Sequence, residues 1–316
     1  MEYTDTPSPP FMLLSNSEHC IVIDTEGGIV RLHPDRLNPI DPIRNPFPGK
    51  ITEATLVGSD LLVATWVERE LSLARIAALD LRDPLVDGPE LLELRSAAEA
   101  SRLNSLQVAG SVWSRVLDAE PLAICPLDGD IVFATHHRGV YRVGPDAREV
   151  WRLKLIEWEH LSELPDGDVI VQLIPTNGSI WAFSLGGGWV EIDSGDGSII
   201  RMGVNKFKSS VLDVWNGNSQ WLFSLSENRM ARWDPEQAFL DVVNVGGPIK
   251  AAIWDSKKWL ITGWREDITW GDWEGQQPDF SRRPDIGVHI QKVENDSFLV
   301  LDNMGKWSNF SVDLLK

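Results

Sequence analysis

His136 and His137 are the only place in this chain where two imidazoles stand together, and a pair of imidazoles is a common start for a transition-metal site. Consecutive residues of an extended segment point to opposite sides, so the two rings could share a metal only if a turn twisted them together; a solvated turn is the expected outcome. Asp193-Ser194-Gly195-Asp196-Gly197 has the acids and glycines with which a calcium loop begins, but no Glu stands at the twelfth position, and turn chemistry explains the run. No GxSxG elbow, P-loop or CxxC is present, and Gly186-Gly187-Gly188 follows an apolar run without opening a helix, which makes it a hairpin turn. No catalytic residue, metal ligand or cofactor is assigned, and an enzyme is not the favoured reading.

Charge narrows the partners. Lys and Arg number 29 against 47 Asp and Glu, a net charge of -18, which repels phosphate backbones and anionic membrane surfaces and disfavours nucleic-acid binding. Cys20 and Cys125 fall in strand-like runs of different repeats and are expected to be buried small hydrophobes, not bridge partners. The start, MEYTDTPSPPFMLL, lacks a basic stretch followed by a long apolar one, and no run of 18 apolar residues occurs, so membrane insertion is not expected and a cytoplasmic location is.

The elements that must carry any site announce themselves by repetition. An apolar run, a turn and a second apolar run recur seven times, with the second runs starting at Ile21, Leu61, Ile131, Trp181, Trp221, Trp259 and Phe298, spaced 40, 70, 50, 40, 38 and 39 residues apart. A period near 40 with several short strands per unit marks a β-propeller, here all-β and seven-bladed, in one domain over residues 1–316. Turn formers such as Asn177-Gly178, Asn216-Gly217 and Asp128-Gly129-Asp130 sit at the hairpin centres, where they tolerate positive φ. Trp215, Trp254, Trp181, Trp221 and Trp259 share registers that lie between blades, where they are expected to be buried; Trp264, Trp270 and Trp273 are better suited to an aromatic cage.

Two segments break the period. Residues 33–50 hold five prolines and are expected to form an ordered or polyproline-like excursion. Residues 96–118 place Leu103, Leu106, Gly110, Trp113 and Leu117 at near-heptad positions, which predicts a short amphipathic helix inserted between blades 2 and 3. Arg102 and Arg115 would lie on its polar side, and the two segments together form the expected partner-binding surface. The seventh unit has only three strands, so residues 2–6 are expected to complete it from the other terminus.

Turns between second and third strands open on one side of a propeller, and five of the seven carry a cation: Arg69, Arg138, Arg229, Arg265 and Lys306. Glu68, Glu70, Glu227, Glu266 and Asp267 accompany them, so the face reads as a mixed charged rim and a candidate partner-binding surface.

The stretch GDIVFATHHRGVYRVGPDAREVWRL resembles the repeat of ligand-sensing and regulator-type propellers, and the Trp-Asp pairs 233-234 and 254-255 look like those of WD-repeat proteins. The Gly-His pair of WD repeats and the Gly-Gly of kelch repeats are absent, so the resemblance extends to the superfamily. It implies a non-enzymatic platform that binds another protein, as a subunit of a larger assembly. The competing reading is a small-ligand sensor or a metal-dependent, lactonase-like hydrolase using the central channel, for which Glu18, Asn104 and Asp213 are candidates, although their surroundings match no lactonase motif.

Overall fold

The computed structural model describes residues 3–68, 73–90, 92–93, 96, 108–159, 161, 165–237, 239–271, 274–293 and 297–311. Each apolar run pairs with its neighbour in sequence, giving seven antiparallel sheets. Blade I holds β1 (Pro10–Ser15), β2 (Cys20–Asp24) and β3 (Ile29–Leu32). Blade II holds β4 (Ile51–Val57), β5 (Leu61–Glu68), β6 (Leu73–Asp80) and β7 (Ser111–Leu117). Blade III is β8 (Pro121–Leu127), β9 (Asp130–Thr135), β10 (Gly139–Val143) and β11 (Glu149–Leu153); blade IV is β12 (Ile170–Thr176), β13 (Ser179–Ser184), β14 (Gly188–Asp193) and β15 (Ile199–Val204). Blade V is β16 (Val211–Gly217), β17 (Gln220–Leu225), β18 (Arg229–Asp234) and β19 (Phe239–Asn244). Blade VI is β20 (Ile249–Asp255), β21 (Lys258–Gly263), β22 (Glu266–Gly271) and β23 (Asp279–Arg282), and blade VII is β24 (Gly287–Val293), β25 (Ser297–Asp302) and β26 (Trp307–Asn309).

The first strands β1, β4, β8, β12, β16, β20 and β24 touch one another in that order, and β24 returns to β1, so the ring is closed around a channel. Second strands are buried along their length, as in β2, β13 and β17, because both faces of a blade pack on neighbours. Apolar clusters fill six of the seven seams: I–II around Trp66, II–III around Trp113, III–IV around Trp158, IV–V around Trp221, V–VI around Trp259, and VII–I around Leu301. Trp221 and Trp259 are buried as expected, whereas Trp215 and Trp254, on the innermost strands beside the channel, are half-buried.

The helical insert expected between blades 2 and 3 is not supported among the described residues; residues 97–107 lie outside them. Residues 111–117 form β7, the outer strand of blade II, paired with β6; among the described residues only Leu92, Glu93 and Ser96 are helical. The near-heptad spacing misleads because Trp113, buried at 8 %, and Leu117 face the II–III cluster, while Val112 and Val116 are exposed on the alternating side of a strand. The extra residues behind the 70-residue spacing therefore lie inside blade II, between β6 and β7. Their described parts lean on the Pro-rich excursion: Gly88 N donates to Asn45 O at 2.8 Å, Asn45 N to Asp87 Oδ1 at 2.9 Å, and Ala109 N to Pro46 O at 3.3 Å, with an Arg44–Asp87 ion pair at 2.8 Å. A Cβ on Gly88 would fall 2.0 Å from Pro46 O, so only glycine fits. Arg44 and Pro39 bridge Ile29 and Leu32 across the free edge of β3, so the excursion stands in the fourth-strand place of blade I.

The terminus closes the ring differently from expectation. Residues 3–9 form no strand, and Glu2 lies outside the described residues. Thr6 N instead donates to Gly305 O at 2.7 Å, in the turn between β25 and β26, while Tyr3 packs on the apolar cluster that holds Leu299 and Leu301. The three prolines after Thr6, Pro7, Pro9 and Pro10, lack the N–H a strand ladder needs, which limits pairing on that side.

Candidate functional site

Antiparallel order puts the second-to-third-strand turns and the connections between blades at one end of the ring, and each first strand enters the channel from that end. All seven first strands carry a register shift between their first and third residues. The bulge re-aims the two residues that follow the buried one, and so builds the channel mouth. Phe11 and Leu212, at the shifted position, are 45 % and 44 % exposed. Glu53, Gln172, Asp213 and His289 occupy the next position in blades II, IV, V and VII.

Glu53 and Asp213 stand three blades apart in the ring, yet the Asp213 charge reaches Glu53, which only the channel permits. Burial, and then Asp213, pushes the Glu53 carboxyl up to about 8. Burial pushes Asp213 up to about 6, with the Lys250 ammonium pulling the other way. His289 is held down to about 4 by burial, against a hydrogen bond to the Phe11 backbone, so its ring is neutral near pH 7. Chemically the mouth holds two half-buried carboxyls, a neutral imidazole and an ammonium. Among the described residues no three His, Cys, Asp or Glu side chains are placed to hold one metal ion. Glu18 lies in the opposite turn between β1 and β2, Asn104 is outside the described residues, and only Asp213 of the channel candidates reaches the mouth.

The cations of the turns are spread over this end. Arg138 pairs with Asp118 at 3.8 Å and Arg229 with Glu227 at 2.6 Å. Arg265 and Lys306 are exposed without an ion-pair partner among the described residues, and Arg69 lies outside those residues. Arg115 projects from strand β7 on the circumference, not from a helix, and Arg102 lies outside the described residues. His136 and His137 do meet, their ring centres 3.8 Å apart, because His137 adopts φ 54° in the turn after β9. The acids at 193–197 form a turn in which Asp193 Oδ1 accepts the N–H of Gly195 at 2.8 Å and of Asp196 at 3.3 Å. Gly187 has φ 91°, and a Cβ on Gly188 would strike Trp158 and Leu161 at 2.8 Å, so the triglycine is a packed hairpin turn. Cys20 and Cys125 are free and buried, with both thiols pushed up to about 12 by burial.

Two clefts open at the same end. One of about 630 Å³ lies between the long connection carrying Trp158 and Leu161 and the residues Met202, Lys206 and Phe207. The other, of about 370 Å³, is lined by Gly246, Trp264, Arg265, Glu266, Arg282 and Arg283. Trp264 is 50 % exposed there, whereas Trp270 is buried with its Nε1 bonded to Gln276 O at 2.7 Å, and Trp273 lies outside the described residues, so no cage forms from Trp264 and Trp270. Lys250, Glu53, His289 and Arg282 escaped sequence reasoning; their signal is a residue one place (Lys250) or two places (Glu53, His289) after the buried start of a first strand, or the last residue of a fourth (Arg282).

No known protein-family model matches the chain, and no curated protein sequence does. Solved structures do. The chain is similar to the β-propeller domain of Cps50 (Swd1) from Myceliophteria thermophila, with a TM-score of 0.67 at 12% identity, covering 99% of each chain. It is similar to the WD40 β-propeller domain of Doa1, with a TM-score of 0.67 at 8% identity over 99% of this chain and 96% of that one. BamB from Moraxella catarrhalis aligns with a TM-score of 0.59 at 8% identity over 99% and 98%. At these identities the likeness establishes the fold alone, a seven-bladed β-propeller.

Proposed function

We propose that this propeller is a non-enzymatic platform that docks another protein on the end bearing the second-to-third-strand turns, as one subunit of a larger assembly in the cytoplasm. The observation that supports the reading is the placement of exposed large apolar side chains. Phe11, Leu155, Leu212, Trp264 and Met304, each more than 40 % exposed, lie at that end, while at the other end no described turn between first and second strands carries one and Val86 and Leu92 stand in the connection between β6 and β7. Aromatic residues and Met rimmed by unpaired cations are the composition of a protein-binding face. The free thiols of Cys20 and Cys125 suit a reducing compartment. The test is recovery of partners from the native host on a tagged chain. Trp264→Ala with Met304→Ala should abolish recovery of a specific partner, while Val150→Ala on the circumference should not; equal recovery by all three baits overturns the reading.

A second reading has the Glu53–Asp213 pair in its favour: a channel ligand, as in a sensor or a lactonase-like hydrolase, would meet carboxyls held partly protonated near pH 7. Glu53→Gln with Asp213→Asn would leave partner recovery unchanged on the first reading and abolish it only if the channel is the site.

A further inference from the structure

We propose that the cleft of Trp264, Arg265, Arg282 and Arg283 receives an acidic group, a carboxylate or a phosphate, presented by a peptide segment of the docked partner; this rests on the platform reading and names the chemistry of one of its contacts.

Three guanidiniums converge on about 370 Å³ in a chain whose net charge is -18. Arg265 and Arg282 are exposed and have no ion-pair partner among the described residues, unlike Arg138 and Arg229 on neighbouring turns. The one carboxylate that lines the cleft forms no ion pair with either of them. Glu266 is the ladder partner of Arg282, yet its Oε2 accepts the Gly246 N–H at 3.1 Å. Arg283 forms the floor: its side chain is 3 % exposed, and it donates to Asp267 Oδ2 and to Ser308 Oγ, each at 2.6 Å. Its Nε is buried and has no acceptor. A buried donor without an acceptor and two unpaired guanidiniums together leave unmet demand for an oxyanion, which Arg answers with paired N–H donors.

The wall is preorganised. Trp264 lies against backbone, since a Cβ on Gly247 would fall 2.4–2.7 Å from its side-chain atoms, and Arg283 N donates to Arg265 O at 2.9 Å. An indole held in this way offers a flat apolar surface for the peptide on either side of the anion. A free anion approaching a chain of this charge is repelled at long range, whereas one delivered by an already docked partner is not, which favours a peptide-borne group over a free ion.

Fluorescence anisotropy on the intact chain tests this with a labelled Asp/Glu-rich peptide, its phosphoserine counterpart and a Lys-rich counterpart. Binding of either anionic peptide, with the Lys-rich one excluded, is the expected result; binding of the phosphoserine peptide alone assigns a phosphate, and binding of both assigns a carboxylate as sufficient. Arg282→Glu and Trp264→Ala should each weaken binding by about tenfold or more, while Arg148→Glu, at the opposite end of the ring, should leave it unchanged. Failure of wild type to bind either anionic peptide, equal binding of the Lys-rich one, or an unaltered Arg282→Glu variant would overturn the proposal. Partner recovery that survives Arg282→Glu while peptide binding is lost removes this cleft from the partner contact and leaves the platform reading standing.

Discussion

The seam between blades IV and V and the seam between blades VI and VII belong to one ring but are closed by opposite means. At IV–V, Trp181, Phe183, Trp221 and Phe223 stack between sheets, with Trp221 4.8 Å from both Trp181 and Phe183. At VI–VII no apolar cluster forms among the described residues. A buried network takes its place: Asp267 accepts from Thr262 Oγ1 at 2.7 Å, from Arg283 at 2.6 Å and from Ser311 N at 2.7 Å, while Arg283 reaches Ser308. Gly287 lets the two blades approach, since a Cβ there would fall 2.0 Å from Thr262 Oγ1. Rings hold a wedge by area and tolerate small shifts. A buried ion pair holds it by geometry, and fails as a unit when one partner is lost.

The largest expected effect breaks the apolar seam. Trp221→Ala should lower stability by about 4 kcal/mol in equilibrium urea unfolding, since it empties a site that is 2 % exposed and loses its ring contacts. Arg283→Ala should cost about 3 kcal/mol by stranding the Asp267 carboxylate. The sharper comparison is the double variant: Asp267→Asn with Arg283→Ala should cost less than the sum of the two single changes, whereas Trp221→Ala with Arg283→Ala should be additive within about 0.5 kcal/mol, because the seams share no partner.

Asp267 with three donors contrasts with Glu53, whose carboxyl has no donor among the described residues. A carboxyl whose folded value is raised contributes stability that is complete below its unfolded value near 4 and is lost as pH rises through about 8. Stability should therefore fall between about pH 4 and pH 8, by no more than about 1.4 kcal/mol per pH unit for this group, and Glu53→Gln should flatten that slope. A slope unchanged by Glu53→Gln would place the titration elsewhere. The smallest effect concerns the terminus. Removing residues 1–8 loses the Thr6–Gly305 bond and the packing of Tyr3, about 1 kcal/mol, which should move the thermal midpoint by less than about 4 °C.

Much of the fold was legible because it is local. Each hairpin is written in one stretch of about 15 residues, so IVID, WAFSL and WLFSL could be aligned and the blades counted from turn chemistry and alternation alone. The cation ring was legible for the same reason, since Arg138, Arg229, Arg265 and Lys306 sit at one register of the repeat. Residues 111–117 were misread because the inward residues of SVWSRVL, Trp113 and Leu117, stand four apart, a spacing that fits a period of 2 and one of 3.6 alike.

What the chain could determine by itself was the number of blades and the order of their paired hairpins, for these depend on residues a few positions apart. Only the closed ring decided the rest. It set the excursion at 38–46 against residues 87–88 and 109, brought Glu53 within reach of Asp213 across the channel, and joined Asp267 to Ser311 at the one seam without an apolar fill. Each of these joins groups some 40 to 160 positions apart, and their partners are selected by the space between blades, which no local pattern encodes.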